Sequence, residues 1–212
     1  SETDPARADT DDDGISDYEE INGKPGAGVP STEPLLPDTD ADGLDDGDEL
    51  AAGSNPLRVD TDGDGIIDGV EFHGQVGTDP TNPDSDGDGL QDGAEDRNRD
   101  GVLNNGETDP ANPDSDGDGL QDGLEVVGEN PTDPTVADTD GDGFDDGEED
   151  SNRNGRLDPG ETDPNNGDSD GDGLADGEED VDLDQVVDPE ETDPTNPDTD
   201  GDGRSDGKEA NG

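Results

Sequence analysis

Carboxylates recur along this chain at fixed intervals, and the intervals suit a cage around one hard cation. In the segment Asp60-Thr-Asp-Gly-Asp-Gly-Ile-Ile-Asp-Gly-Val-Glu71, oxygen side chains stand at positions one, three, five, nine and twelve. These are Asp60, Asp62, Asp64, Asp68 and Glu71. Position six is Gly65, whose freedom at positive φ permits the sharp turn that brings early and late ligands together. Position seven, Ile66, offers its backbone carbonyl, and the closing Glu is long enough to chelate with both oxygens. Such a loop wraps one divalent cation in about seven oxygens, and a flexible cage of that kind prefers calcium to magnesium. Zinc, copper and iron favour His or Cys, and the chain has one His and no Cys.

The pattern is repeated eight times without a change of length. The principal loops span 9–20, 38–49, 60–71, 84–95, 114–125, 138–149, 168–179 and 198–209. Besides the set above, the candidate ligands are Asp9, Asp11, Asp13, Asp17 and Glu20, then Asp38, Asp40, Asp42, Asp46 and Glu49. Next come Asp84, Asp86, Asp88, Asp92 and Glu95, followed by Asp114, Asp116, Asp118, Asp122 and Glu125. The last three sets are Asp138, Asp140, Asp142, Asp146, Glu149; Asp168, Asp170, Asp172, Asp176, Glu179; and Asp198, Asp200, Asp202, Asp206, Glu209. An acidic low-complexity tail would not place Gly sixth and Glu twelfth each time.

Three secondary loops open on the residue after a principal loop's closing Glu. Loop 96–107 offers Asp96, Asn98, Asp100, Asn104 and Glu107, with Gly101 at the turn. Loop 150–161 offers Asp150, Asn152, Asn154, Asp158 and Glu161. Loop 180–191 keeps Asp180, Asp182, Asp184, Asp188 and Glu191 but has Gln185 at the turn. About 8–11 calcium ions are expected in all.

The elements that must position these groups are few. Among 212 residues, 19% are hydrophobic and 1% aromatic, while 68 acidic against 9 basic residues leave a net charge of −59. Low hydrophobicity with such a charge marks a chain that is disordered unless a cation intervenes. Nucleic acid is excluded as a partner by like charge, and no apolar run reaches the ~18 residues of a membrane span. The fold class expected is therefore mostly irregular: an elongated, calcium-stabilised repeat array with little regular secondary structure and at most short helical turns. One continuous array is expected over 1–212, with an irregular Gly- and Pro-rich insertion at 23–37.

Position seven is apolar in most principal loops (Ile15, Leu44, Ile66, Leu90, Leu120, Phe144 and Leu174), which suggests a thin seam of small clusters. The connectors carry Thr-Asp-Pro and Asn-Pro-Asp, and proline there keeps the preceding residue out of helix. Asp79, Asp109, Asp133, Asp163 and Asp193 in those connectors either start turns or reach a neighbouring ion; the pattern leaves both open.

The Asp-Thr-Asp-Gly-Asp-Gly-Leu-x-Asp-Gly run, joined by Asp-Pro-x-Asn-Pro-Asp, resembles thrombospondin type 3 repeats. The similarity is to their cysteine-free bacterial relatives, found in surface and outer-membrane-associated proteins, and covers nearly the whole chain apart from the insertion. It implies irregular repeats wrapped around a string of calcium ions, with Asp60, Asp62, Asp64, Asp68, Glu71 and their equivalents as ligands. Helix-loop-helix calcium hands fit less well, because position eight is mostly polar and prolines precede the loops.

No nucleophile elbow and no phosphate-binding Gly-rich loop followed by Lys is present, so no enzyme activity is expected. His73, alone among histidines, reads as a packing or surface residue. Extracellular calcium modules work at ~10⁻⁴–10⁻³ M, which places the chain outside the cell or on its surface. The function expected is a calcium-rigidified spacer, stalk or fibre segment of an adhesive surface assembly. The alternative is a calcium-dependent module that recognises a protein or glycan. Its partners would be calcium and either further repeats of a longer parent or head-to-tail copies in a fibre. Membrane insertion is not expected.

Overall fold

Each acidic loop opens with an aspartate that gathers its own backbone. Asp60 accepts the N–H of Gly63 on Oδ1 at 2.6 Å and that of Gly65 on Oδ2 at 3.2 Å. Asp38, Asp84 and Asp138 do the same for the fourth and sixth residues of their loops. Asp64 at position five then accepts the N–H of Ile66 at 2.7 Å. Short side chains that bond backbone two to five residues onward compete with regular secondary structure, and here they win. Gly65, at φ 104°, occupies the left-handed turn that its position requires.

At position nine the chain enters a short helix. In the computed structural model, which describes residues 3–23 and 29–210, these are α1 Asp17–Asn22, α2 Asp46–Ala52, α3 Asp68–His73, α4 Asp92–Glu95, α5 Asp122–Val127, α6 Asp146–Glu149, α7 Asp176–Glu179 and α8 Asp206–Ala210. None exceeds 7 residues, about two turns, and helices that short are not stable alone. Asp68 anchors the start of α3 by accepting from the N–H and the hydroxyl of Thr61, at 2.7 and 2.6 Å. Thr or Ser at position two does this at Asp17, Asp46, Asp92, Asp122, Asp146 and Asp206 too.

Helix accounts for 21% of the structure, and the described residues form no strand or sheet. The expected irregular repeat architecture is the one observed. Residues 24–28 of the expected insertion lie outside the described residues, as do 1–2 and 211–212. Among the described residues no helix is long and apolar enough to cross a membrane.

The chain forms two compact units, Ser1–Asn112 and Pro113–Gly212. Within each, consecutive principal loops interlock by one device. In the first unit, Gly69 at position ten donates its N–H to Asp42 at position five of the previous loop, at 3.1 Å, and Gly93 donates to Asp64 at 2.9 Å. In the second unit, Gly147 donates to Asp118 at 2.8 Å, and Gly207 donates to Asp172. A Cβ built on Gly47 would lie 2.0 Å from the Asp13 carbonyl oxygen, so only glycine allows this approach. The seam of position-seven side chains fills in beneath. Ile15, Leu44, Ile66, Leu120 and Phe144 are buried, and Leu90 and Leu174 are half-buried.

Candidate metal centres

The interlock changes which carboxylates meet. Asp9, Asp11 and Asp13 bring one oxygen each within 4.8 Å of one another, as do Asp38, Asp40 and Asp42, and Asp60, Asp62 and Asp64. These are positions one, three and five of single loops, as the spacing predicts. A second kind of cluster joins two loops: Asp13 and Glu20 with Asp46, and Asp42 and Glu49 with Asp68. The position-nine carboxylate is thus delivered to the loop before its own. Spacing within twelve residues could not show this, because the meeting depends on how one loop docks on the next. The hint available was the glycine at position ten, present in every principal loop that has a predecessor and replaced by Tyr18 in the first.

Burial in these clusters is extreme for charged groups. Glu20, Asp46, Glu49, Asp68, Asp92, Glu125, Asp146 and Asp176 have no exposed surface. Neither oxygen of Glu49 has a hydrogen-bond partner, and the same holds for Asp11 and Asp40. One buried oxygen each of Asp13, Glu20, Asp62, Asp116, Asp140, Asp170 and Glu179 is also unpartnered. Buried polar groups are nearly always satisfied, and a buried unpaired carboxylate is costly. A row of them, converging from two sides, fits a divalent cation and little else.

The acid strengths report the same strain. Burial, then the charges of Asp40 and Asp42, pushes the Glu49 carboxyl up to about 9. Burial, then Asp62 and Asp64, does the same to Glu71, also to about 9, against a pull from Thr78. Glu149 reaches about 9 by burial, with Thr162 pulling down and Asp142 and Asp140 pushing up. At position three, Asp40, Asp62, Asp116, Asp140 and Asp170 rise to about 6, in every case chiefly through burial. Carboxylates ~4–6 Å apart repel by roughly 1–4 kcal/mol per pair, and calcium reverses the sign of that contribution.

The remaining expected ligands divide into three groups. The position-one aspartates Asp9, Asp38, Asp60, Asp84, Asp114, Asp138, Asp168 and Asp198 bind their own backbone through Oδ1 or Oδ2, keeping lone pairs toward positions three and five. Loop 198–209 departs from the others. Its position seven is Arg204, and the closing Glu209 lies exposed, 3.5 Å from that guanidinium. The secondary loops are brought together differently again. Glu107 accepts the N–H groups of Asn98 and Asn104, Glu161 those of Asn152 and Asp158, and Glu191 those of Val181 and Asp188. Gln185 holds the turn at φ 60° and donates its side-chain amide to the Glu148 carbonyl.

The connector aspartates make turns. Asp79 accepts the N–H and hydroxyl of Thr81, at 3.0 and 2.7 Å, and Asp133 and Asp193 repeat the arrangement with Thr135 and Thr195. Asp109 and Asp163 accept the N–H two residues on. The sequence reading missed the threonine that precedes these aspartates, whose hydroxyl reaches a closing glutamate. Thr108, Thr132 and Thr192 donate hydroxyls to Glu95, Glu125 and Glu179 at 3.0, 3.0 and 2.9 Å. The repeated Thr-Asp-Pro was the available signal. His73 rests edge-on against Phe72, ring centroids 5.2 Å apart.

Comparison with known proteins agrees with this geometry. The family model described as the bacterial TSP3 repeat matches residues 9–23, 38–59, 60–83, 84–98, 114–137, 168–180 and 198–212. No curated protein matches the chain. No solved structure does so either.

Proposed function

The chain belongs to the bacterial TSP3 repeat family, a family of calcium-binding repeats found in extracellular proteins, and on that premise we propose that it is a calcium-rigidified spacer. Within each unit calcium occupies a principal loop, held by positions one, three, five and twelve together with the position-nine aspartate of the loop docked on it. Binding free energy is then folding free energy, as in other small metal-dependent domains. Outside the cell, at millimolar calcium, the array is loaded and stiff; at cytosolic calcium it is empty and loose. It acts by holding other parts of a surface assembly apart, without catalysis.

One observation carries the reading: Glu49 is fully buried, has no partner for either oxygen, and shares a 4.8 Å cluster with Asp42 and Asp68. With its carboxylate charged, that arrangement is favourable only around a cation. Small-angle scattering with and without millimolar calcium tests it. The radius of gyration and protease sensitivity should both fall with calcium, and EDTA should reverse both. Superimposable profiles would refute the proposal.

A further inference from the structure

The two secondary loops 96–107 and 150–161 do with side-chain amide and backbone N–H groups what the principal loops leave to an ion. In loop 150–161, Asn152 Nδ2 donates to Asp158 at 3.1 Å and to Glu161 at 2.7 Å, and Asn154 Nδ2 donates to Asp158 at 2.8 Å. In loop 96–107, Asn104 Nδ2 donates to both oxygens of Asp100, at 3.2 and 3.4 Å. Both closing glutamates are taken up by backbone N–H groups of their own loops. Glu49 of a principal loop has none of this.

Each of these loops also reaches back to a principal loop. The carbonyl of Gly101 accepts the N–H groups of Gln75 and Val76, at 2.7 and 3.3 Å, just beyond α3. The carbonyl of Gly155 accepts the N–H of Asn130 at 3.0 Å, just beyond α5. Glycine pairs make the approach possible: a Cβ on Gly74 would lie 3.0 Å from the Gly101 oxygen, and one on Gly128 would lie 2.7 Å from the Gly155 oxygen. The guanidinium of Arg99 lies over Gly65 at the turn of loop 60–71, and that of Arg153 over Gly119 at the turn of loop 114–125. Both arginines sit at position four of their loops, at φ 60° and 55°. Loop 180–191 has Leu183 at that position. It also has no Asn to donate to its carboxylates, so it stays among the cation loops.

We propose that loops 96–107 and 150–161 are metal-independent clasps, their carboxylates satisfied by hydrogen bonds from their own Asn amides, each pinning a principal loop through a glycine pair and an arginine. The clasps divide the chain into parts that need calcium and parts that stay ordered when it is withdrawn. The proposal concerns ordering without the ion, so it can fail while the calcium reading of the principal loops stands.

Hydrogen exchange read by mass spectrometry on the full chain, in calcium and in EDTA, tests it. In EDTA, segments 70–76 with 96–107 and 124–130 with 150–161 should exchange roughly tenfold more slowly than 9–20 and 38–49. Loss of protection in all four regions together overturns the clasps. If calcium changes protection nowhere, the calcium reading fails and the clasps stand. The double variant Asn152→Asp, Asn154→Asp replaces the amides with carboxylates. It should add one calcium in a binding titration and make protection of Asn130 calcium-dependent, whereas unchanged protection in EDTA would show that the amides are not what holds the clasp.

Discussion

The backbone N–H of Gly69 donates to Asp42 Oδ2 at 3.1 Å, across 27 residues of chain. Asp42 at the same time spends Oδ1 on its own loop, at the N–H of Leu44, and belongs to the cluster with Glu49 and Asp68. One carboxylate therefore shapes a loop, docks the next and faces the carboxylate cluster between them. Local damage at such a residue must spread to its neighbour and no further, as in other repeat arrays.

Gly69→Ala places a Cβ 2.5 Å from the Asp42 carbonyl oxygen, so the backbones must part. Overpacking of this kind costs about 1–3 kcal/mol. Thermal unfolding in saturating calcium should shift down, and the calcium count should fall at the 38–49 cluster. A variant with unaltered melting and stoichiometry would show that the approach is slack.

Asp118→Ala removes a position-five ligand and the acceptor of the Gly147 N–H. Exchange in 114–125 and 138–149 should rise together, while 9–20 stays protected in calcium. Release of every loop at once would point to global cooperativity.

Glu49→Gln should act with opposite signs in the two metal states. Removing a fully buried charge beside Asp42 and Asp68 stabilises the calcium-free chain, while losing the bidentate closing ligand weakens calcium binding. Melting curves in EDTA and in calcium read both effects, and a shift in one direction under both conditions would contradict the assignment.

Without metal, the raised carboxyl groups set the pH dependence. Glu49, Glu71 and Glu149 bind protons up to about 9 when folded, against about 4.3 unfolded. The folded state holds more protons, so stability is full below pH ~4 and falls as pH rises toward 9. Calcium competes for the same oxygens. Loading at pH 7 should release protons in a pH-stat, and apparent affinity should climb between pH 5 and 9. Proton-neutral loading would mean these groups are not ligands.

Repeat length, ligand types and the scarcity of regular structure were legible because each is local: Asp60 folds its own loop within five residues. The partner of Asp68 was not legible, since its carboxylate meets Asp42 and Glu49 only after Gly69 docks. The pull of Thr108 on Glu95 spans 13 residues and crosses a secondary loop. Asn104 and Asn152 looked like weaker ligands by type, but their donor atoms face carboxylates. Amide orientation depends on neighbours that no spacing rule contains.

The interlock also sets how the chain answers a pull. Unhooking Gly69 from Asp42 frees a span of 27 residue steps, and at 3.3–3.6 Å each they extend to roughly 90–97 Å. The hooks at Gly93, Gly147 and Gly207 hold comparable reserves, with spans of 29, 29 and 35 residues. Added calcium should therefore raise the force at which each reserve opens, a difference that single-molecule pulling in calcium and in EDTA would read.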